Sequence, residues 1–184
     1  MDNSHLLAGL VVGGVVAGVA AYYMIKPSKP AGPVLPTARQ AQLVTTTWSE
    51  HVVRGVGLDV AGVLFFKTLF EQQPGAMALF KKFNKSENYL EHPEFKLHAS
   101  KVIRTIDTAF GMLGDLPALV PILEKLGKAH VPYGVLPEHY NWIGQALLTT
   151  LGLGLGDQFT PEVKEAYTVV YVLVAATMCS KASY

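Results

Sequence analysis

The chain has 184 residues, enough for one full-sized hydrophobic core and an appendage. Half of them are hydrophobic and the mean hydropathy is +0.29, high for a purely soluble domain, while 15 Lys and Arg stand against 14 Asp and Glu. That near-balance, with no basic run carrying interleaved aromatics, argues against a nucleic-acid partner. The single cysteine, Cys179, excludes an intrachain disulfide, a cysteine-based zinc or iron–sulfur site and a C-x-x-C-H attachment.

The excess hydrophobicity sits at the start. Residues 6–25, LLAGLVVGGVVAGVAAYYMI, run twenty positions without a charge. As a helix this segment spans about 30 Å, the thickness of the bilayer hydrocarbon. Tyr22 and Tyr23 lie near one end, where interfacial aromatics belong. Gly9 with Gly13 and Gly14 with Gly18 have small-xxx-small spacing, which allows pairing into a homodimer within the membrane. The sequence thus predicts a transmembrane anchor over residues 1–25. The alternative is a signal peptide cleaved near Gly18 and Ala20, but the segment before the run carries Asp2 and lacks the positive charge of such a leader. Lys26, Lys29 and Arg39 follow the run, so the bulk of the chain is expected on the cytosolic side. The sequon at Asn84, Lys85 and Ser86 separates the readings, because only a secreted form can carry sugar there.

Residues 26–36, KPSKPAGPVLP, place Pro27, Pro30, Pro33 and Pro36 three apart. Three residues per turn is the polyproline II repeat, so this reads as a spacer of roughly 30 Å, with an SH3-type ligand as the functional alternative.

From residue 37 to the end the periodicity is helical nearly throughout, and no alternating strand run appears. The first helix covers residues 37–56, with Leu43, Thr47 and Trp48 on one face; the second covers 58–72 and carries Leu64, Phe66, Leu69 and Phe70. Pro74 opens a short piece ending in Phe80 and Phe83. Pro93 then begins a long helix with Phe95, His98, Val102, Ile106 and Phe110 facing one way. Pro121 suits the first turn of a short helix that carries Leu123 and Leu126 and ends at His130, where Pro132 and Gly134 stop it. Pro137 opens another long helix, with Tyr140, Ile143, Leu147 and Leu151 inward. GLGLGD, residues 152–157, lacks the strand and the G-x-G-x-x-G spacing of a nucleotide loop and reads as a flexible connection. Thr160 caps the last helix, with Pro161 and Glu162 in its first turn. The expectation is an all-α domain of seven to eight helices over residues 37–184.

Of six histidines, His5, His51, His92 and His139 read as surface or capping residues. His98 and His130 differ, because each falls on the apolar stripe of its own helix, where an unpartnered ring nitrogen is costly. A single histidine of this kind is usually a satisfied core residue. Two on separate helices can flank a planar metal cofactor, with Phe66, Phe80, Val102 and Leu126 forming an apolar slot. Zinc would want further ligands, and no third His, Cys or carboxylate shares the two faces.

From about Arg39 onward, roughly 145 residues, the chain resembles a globin. Trp48 carries the likeness first, then FKTLFEQQPGAMALFKKF, FKLHASKV around His98, LGKAHVPYGVLP around His130, and TPEVKEAY, with the two histidines 32 residues apart. The resemblance implies the globin fold around non-covalent haem b. It makes His130 the proximal iron ligand and His98 the distal residue, either a sixth ligand or a hydrogen-bond donor to O2. Val102 then lies over the distal haem face, Phe80 packs on the porphyrin with Phe83 beside it, Phe66 overlooks the gas ligand, Leu126 and Leu136 are proximal contacts, and Lys101 reaches a propionate. Three functions follow as expectations. One is a membrane-tethered haem protein that reversibly binds O2 and other diatomic gases for storage, transport or sensing. Another is a bis-histidine globin in redox chemistry, turning over nitric oxide, nitrite or peroxide. The third is a helical interaction module without haem.

Overall fold

The computed structural model describes residues 34–183, so the expected anchor and all but the end of the spacer lie outside the described residues. Six α-helices follow in order, with no strand among the described residues: α1 (Ala38–Thr47), α2 (Leu58–Gln72), α3 (Pro93–Gly111), α4 (Leu116–His130), α5 (His139–Leu155) and α6 (Pro161–Ser180). A π-helical run, Trp48–Val56, continues α1, and short 3-10 turns occupy Pro74–Leu79, Tyr89–Glu91, Val131–Tyr133 and Gly156–Gln158. Counting the π-helical run, seven helical segments meet the lower expected number.

Local chemistry sets these boundaries. Thr37 and Gln40 form a reciprocal capping box at the start of α1. The His92 ring caps α3 by accepting from the Glu94 amide at 3.2 Å, and Pro93 takes the first helical position. Thr160 caps α6 through the Val163 amide, with Pro161 and Glu162 in the first turn as the sequence indicated.

Helix α2 is the central strut, packed across α3 and α5, while α6 lies along α1 and α4 and touches α5. Between them Phe65, Leu69, Phe95, Ile103, Leu119 and Tyr167 are all but sealed from solvent. Trp48 ties the first helix to α3, donating from Nε1 to Asp107 Oδ1 at 2.8 Å and meeting Phe110 edge-on. Helix α6 is long and apolar enough to cross a membrane by length and composition, yet Tyr167, Val170 and Leu173 bury it in this core.

Several expectations need correction. The short helix before His130 begins at Leu116, not at Pro121: Asp115 caps it by accepting from the Ala118 amide, Pro117 fills the first turn, and Pro121 lies inside. An internal proline withholds one backbone bond, which tertiary packing here outweighs. GLGLGD is no flexible connection, since α5 runs through Gly152 and Gly154 to Leu155 and then tightens into a 3-10 turn. Pro137 lies in a turn, and α5 starts two residues later at His139. Among the apolar residues that mark α2 in the sequence, Leu64 is 44% exposed. The inward residue is its neighbour Phe65, and Leu64 lines a half-open cavity of about 150 Å³ with His51, Val52, Phe65, Leu147 and Leu151.

Candidate functional site

His130 is the last residue of α4. Its ring Nδ1 lies 2.8 Å from the carbonyl oxygen of Leu126, one turn earlier. A carbonyl only accepts, so Nδ1 carries the proton and donates, and Nε2 keeps its lone pair. The same bond fixes the ring's orientation and raises its basicity toward a metal. The chain then leaves the helix sharply: Val131–Tyr133 form a 3-10 turn, and Gly134 takes φ +78°, a left-handed backbone that suits glycine. The turn carries the chain to Leu136, which is 40% exposed.

His98 projects from α3 into an aromatic enclosure. Its ring centroid is 5.2 Å from Phe66 and 5.3 Å from Phe80, both edge-on, and those two rings lie 5.7 Å apart. Burial holds the His98 pKa below its ordinary value, with His130 and Lys101 pushing the same way. The two histidines singled out from the stripes lie half-buried on separate helices, α3 and α4. A half-buried neutral imidazole keeps one N–H donor and one lone pair, either of which can serve a ligand.

The remaining expected residues surround this pair. Phe80 stacks on Phe83 at 5.3 Å, and Phe83 is buried. Val102, one turn after His98, and Leu126, one turn before His130, are half-buried and packed on the core. Lys101 is exposed beside His98 on the solvent side of α3. Of the other histidines, His92 caps α3 and His139 opens α5, the latter accepting from the Leu136 amide at 3.1 Å, and His51 lies at the cavity behind α2.

The aromatic enclosure is deeper than the sequence stripes indicate. Phe70 contacts Phe80 at 5.2 Å, Phe95 contacts Phe83 at 5.5 Å, and Tyr89 closes the outer edge against Phe70 and Phe95. The sequence places Phe70 only on a helix face and Tyr89 in a loop. Their signal is the helical spacing of Phe66 and Phe70, and of Phe95 and His98, each pair one turn apart. Edge-to-face pairs of this kind contribute roughly 0.5–1.5 kcal/mol each beyond area burial, which makes the distal wall stiff.

The donor set discriminates among metal centres. Among the described residues no three His, Cys, Asp or Glu side chains gather to hold a bare ion. Two half-buried imidazoles on separate helices, with Phe80 against His98 and Val102 and Leu126 one turn from each histidine, fit instead a group that brings its own equatorial donors. With Nδ1 donating to Leu126, His130 would hold such a group through Nε2, and an iron porphyrin, which supplies its own equatorial nitrogens, meets these requirements.

Comparison with known proteins agrees. The Globin family model matches residues 63–178. Neuroglobin from Tetraodon nigroviridis is 35% identical over 145 residues, covering 77% of this chain and 89% of that protein. Neuroglobin-1 from Oncorhynchus mykiss is 32% identical over 148 residues with the same coverage. Among solved structures, a hexacoordinated heme protein from an anhydrobiotic tardigrade, crystallised at pH 4, superposes with a TM-score of 0.71 at 22% identity, covering 84% of this chain and 98% of that one. The six helices and the π-helical continuation are therefore the globin fold, and this chain belongs to the globin family.

Proposed function

We propose that this globin binds haem b between α3 and α4, with His130 as the proximal ligand, and reversibly binds O2 and other diatomic gases at the His98 face. The observation that carries the reading is the hydrogen bond from His130 Nδ1 to the Leu126 carbonyl, which fixes the ring and leaves Nε2 as the ligating atom. Haem supplies the iron at which a gas binds; the chain supplies the ligand, the walls and the proton donor. Phe80, Phe83, Val102 and Leu126 exclude water, Leu136 covers the proximal rim, and Lys101 is placed on the solvent side to meet a propionate carboxylate. Phe66 limits the space beside His98 without adding a donor. His98 donates to a partly negative gas ligand, a bond worth about 1.5–3 kcal/mol, or roughly ten- to a hundred-fold in affinity. His130→Ala is expected to lose haem, and His98→Leu to keep haem while releasing O2 faster. Unchanged O2 kinetics in the His98 variant would remove its distal role.

A second reading assigns His98 as sixth ligand when no gas is bound, suiting redox turnover of nitric oxide, nitrite or peroxide. Burial keeps that ring neutral with its lone pair available, and a structural neighbour is itself described as hexacoordinated. The visible spectrum of the deoxygenated ferrous protein separates the two: a bis-histidine spectrum assigns His98 to the iron, a five-coordinate one to the gas.

The reading extends to residues 1–25 as a single-pass membrane anchor and residues 26–36 as a spacer holding the globin domain on the cytosolic side. Support comes from the uncharged run in residues 6–25 and from Lys26, Lys29 and Arg39 beyond it. Membrane pelleting that disappears when residues 1–25 are deleted supports the anchor. A secreted, glycosylated form supports a cleaved leader instead. Cross-linking of the full chain that disappears when Gly9, Gly13, Gly14 and Gly18 become Leu supports a homodimer through the anchor.

A further inference from the structure

Gly127 lies on α4 three residues before His130, where α4 meets α6. A Cβ built there falls 1.8 Å from the carbonyl oxygen of Met178, 2.6 Å from its carbonyl carbon and 2.9 Å from its Cα. All three are backbone atoms, so no rotamer change makes room. The two helices touch backbone to backbone, with the Gly127 Cα hydrogen directed at the Met178 oxygen, the geometry of a weak Cα–H···O contact. Gly127 is also buried, as are Leu119 and Leu123 on the same helix.

We propose that Gly127 is the positioning residue for His130: its missing side chain seats α4 on the backbone of α6, and that seat sets how far the His130 ring reaches toward the iron. The inference rests on His130 as the proximal ligand. Residues three apart on a helix point about 60° from one another, so the seat and the ring share a quadrant of α4. A methyl group at 127 needs the Met178 oxygen beyond 3.0 Å, a separation at least 1.2 Å larger than the structure provides. Roughly half of such a displacement projects onto the direction of His130, withdrawing the ring by several times the ~0.2 Å tolerance of a metal–ligand bond.

Helix α4 is the element that yields. It has 15 residues and an internal proline, whereas α6 has 20 and is held by buried Val170, Leu173, Thr177 and Met178, with the Thr177 hydroxyl bonded to the Leu173 carbonyl at 2.8 Å. The other tight glycines do not abut the helix face of His130: a Cβ at Gly62 meets the Ala99 backbone oxygen at 2.8 Å, beside His98 on α3. A Cβ at Gly144 meets only the far edge of the Tyr171 ring, at 2.5 Å, on a helix that carries neither site histidine.

The test uses the haem-loaded protein and compares Gly127→Ala, Gly144→Ala and His130→Ala. Resonance Raman of the ferrous form reads the iron–histidine stretch, and transfer to excess acceptor apoprotein reads haem loss. Gly127→Ala should lower the stretching frequency and release haem about tenfold faster or more, in the range of substitutions that act through a ligand's supporting contacts. Gly144→Ala, matched for thermal stability, should shift neither. Should Gly127→Ala not fold, Met178→Gly leaves the touching backbone atoms in place but removes the buried side chain that holds that turn of α6, so the seat loosens without an added atom. Its stretch should broaden and shift down with faster haem loss. A wild-type frequency and loss rate in whichever of these variants folds overturns the inference. A His130→Ala protein that keeps the wild-type spectrum overturns the ligand assignment beneath it, a distinguishable failure.

Discussion

Tyr167 offers the sharpest check on how α6 meets α1. It is fully buried, its hydroxyl 3.0 Å from the Thr47 hydroxyl and 3.4 Å from the Val44 carbonyl oxygen. Burial pushes its pKa from 10.0 up to about 12, with the Thr47 hydrogen bond pulling back part of the rise. The folded value exceeds the unfolded one, so the stabilisation is complete below about pH 10 and is lost as pH rises toward about pH 12. A hundredfold tighter hold on the phenolic proton corresponds to about 3 kcal/mol across that window, at roughly 1.4 kcal/mol per factor of ten. Tyr167→Phe removes the titration along with one hydrogen bond. Thr47 keeps its own bond to the Leu43 carbonyl at 2.7 Å, so no buried group is stranded. The variant should therefore be only about 1 kcal/mol less stable than wild type near neutrality. Urea unfolding followed by circular dichroism from about pH 8 to pH 12 should give two stability curves that cross near pH 11, above which the variant is the more stable protein. Curves that stay parallel would mean that Tyr167 ionises as in water, refuting its burial between α1 and α6.

Further outcomes follow from other contacts. Trp48→Phe loses the bond to Asp107; with that carboxylate half-buried and able to reach water, the cost should be about 1–2 kcal/mol, read as a lower urea midpoint at unchanged slope. Phe80→Ala removes a ring that touches Phe66, Phe70, Phe83 and His98. Because Phe80 is itself only half-buried, a loss of about 2 kcal/mol with faster haem transfer is expected, and unchanged haem retention would remove Phe80 from the site wall. Thr160→Ala strips the cap of α6 and should cost about 1 kcal/mol in thermal or urea unfolding, recovered by Thr160→Ser.

The two histidines are legible because a polar ring on an apolar stripe is conspicuous, and the cap at Thr160 because a short polar side chain before a proline has few other uses. What escapes the sequence is set by three-dimensional context. Pro121 looks like a helix start because proline is well tolerated there, and only the Asp115 cap shows that the helix has begun earlier. Leu64 and Phe65 are adjacent and both apolar, so periodicity alone does not say which faces the core; the crossing of α2 with α3 and α5 decides it. GLGLGD looks like a connection because glycine disfavours helix interiors, yet the buried Leu151 and Leu155 hold α5 together across it. Gly127 carries no signal at all, since the need for a missing side chain is visible only from the helix opposite.

His130 occupies the very end of α4, and that placement bears on how the domain breathes. The last carbonyls of a helix lack partners within it, and here the chain tightens at once into a 3-10 turn, the Val131 amide reaching only to Lys128. Amide protons in such a final turn exchange through local fraying, at far lower cost than global unfolding. A haem iron held by His130 would pin the loose end at its tip, so the turn, otherwise the first part of α4 to open, would become one of the last. Exchange at Gly127 through Gly134 would then be a clock for how long the imidazole stays engaged, running slowly when it is held and quickly when it is not.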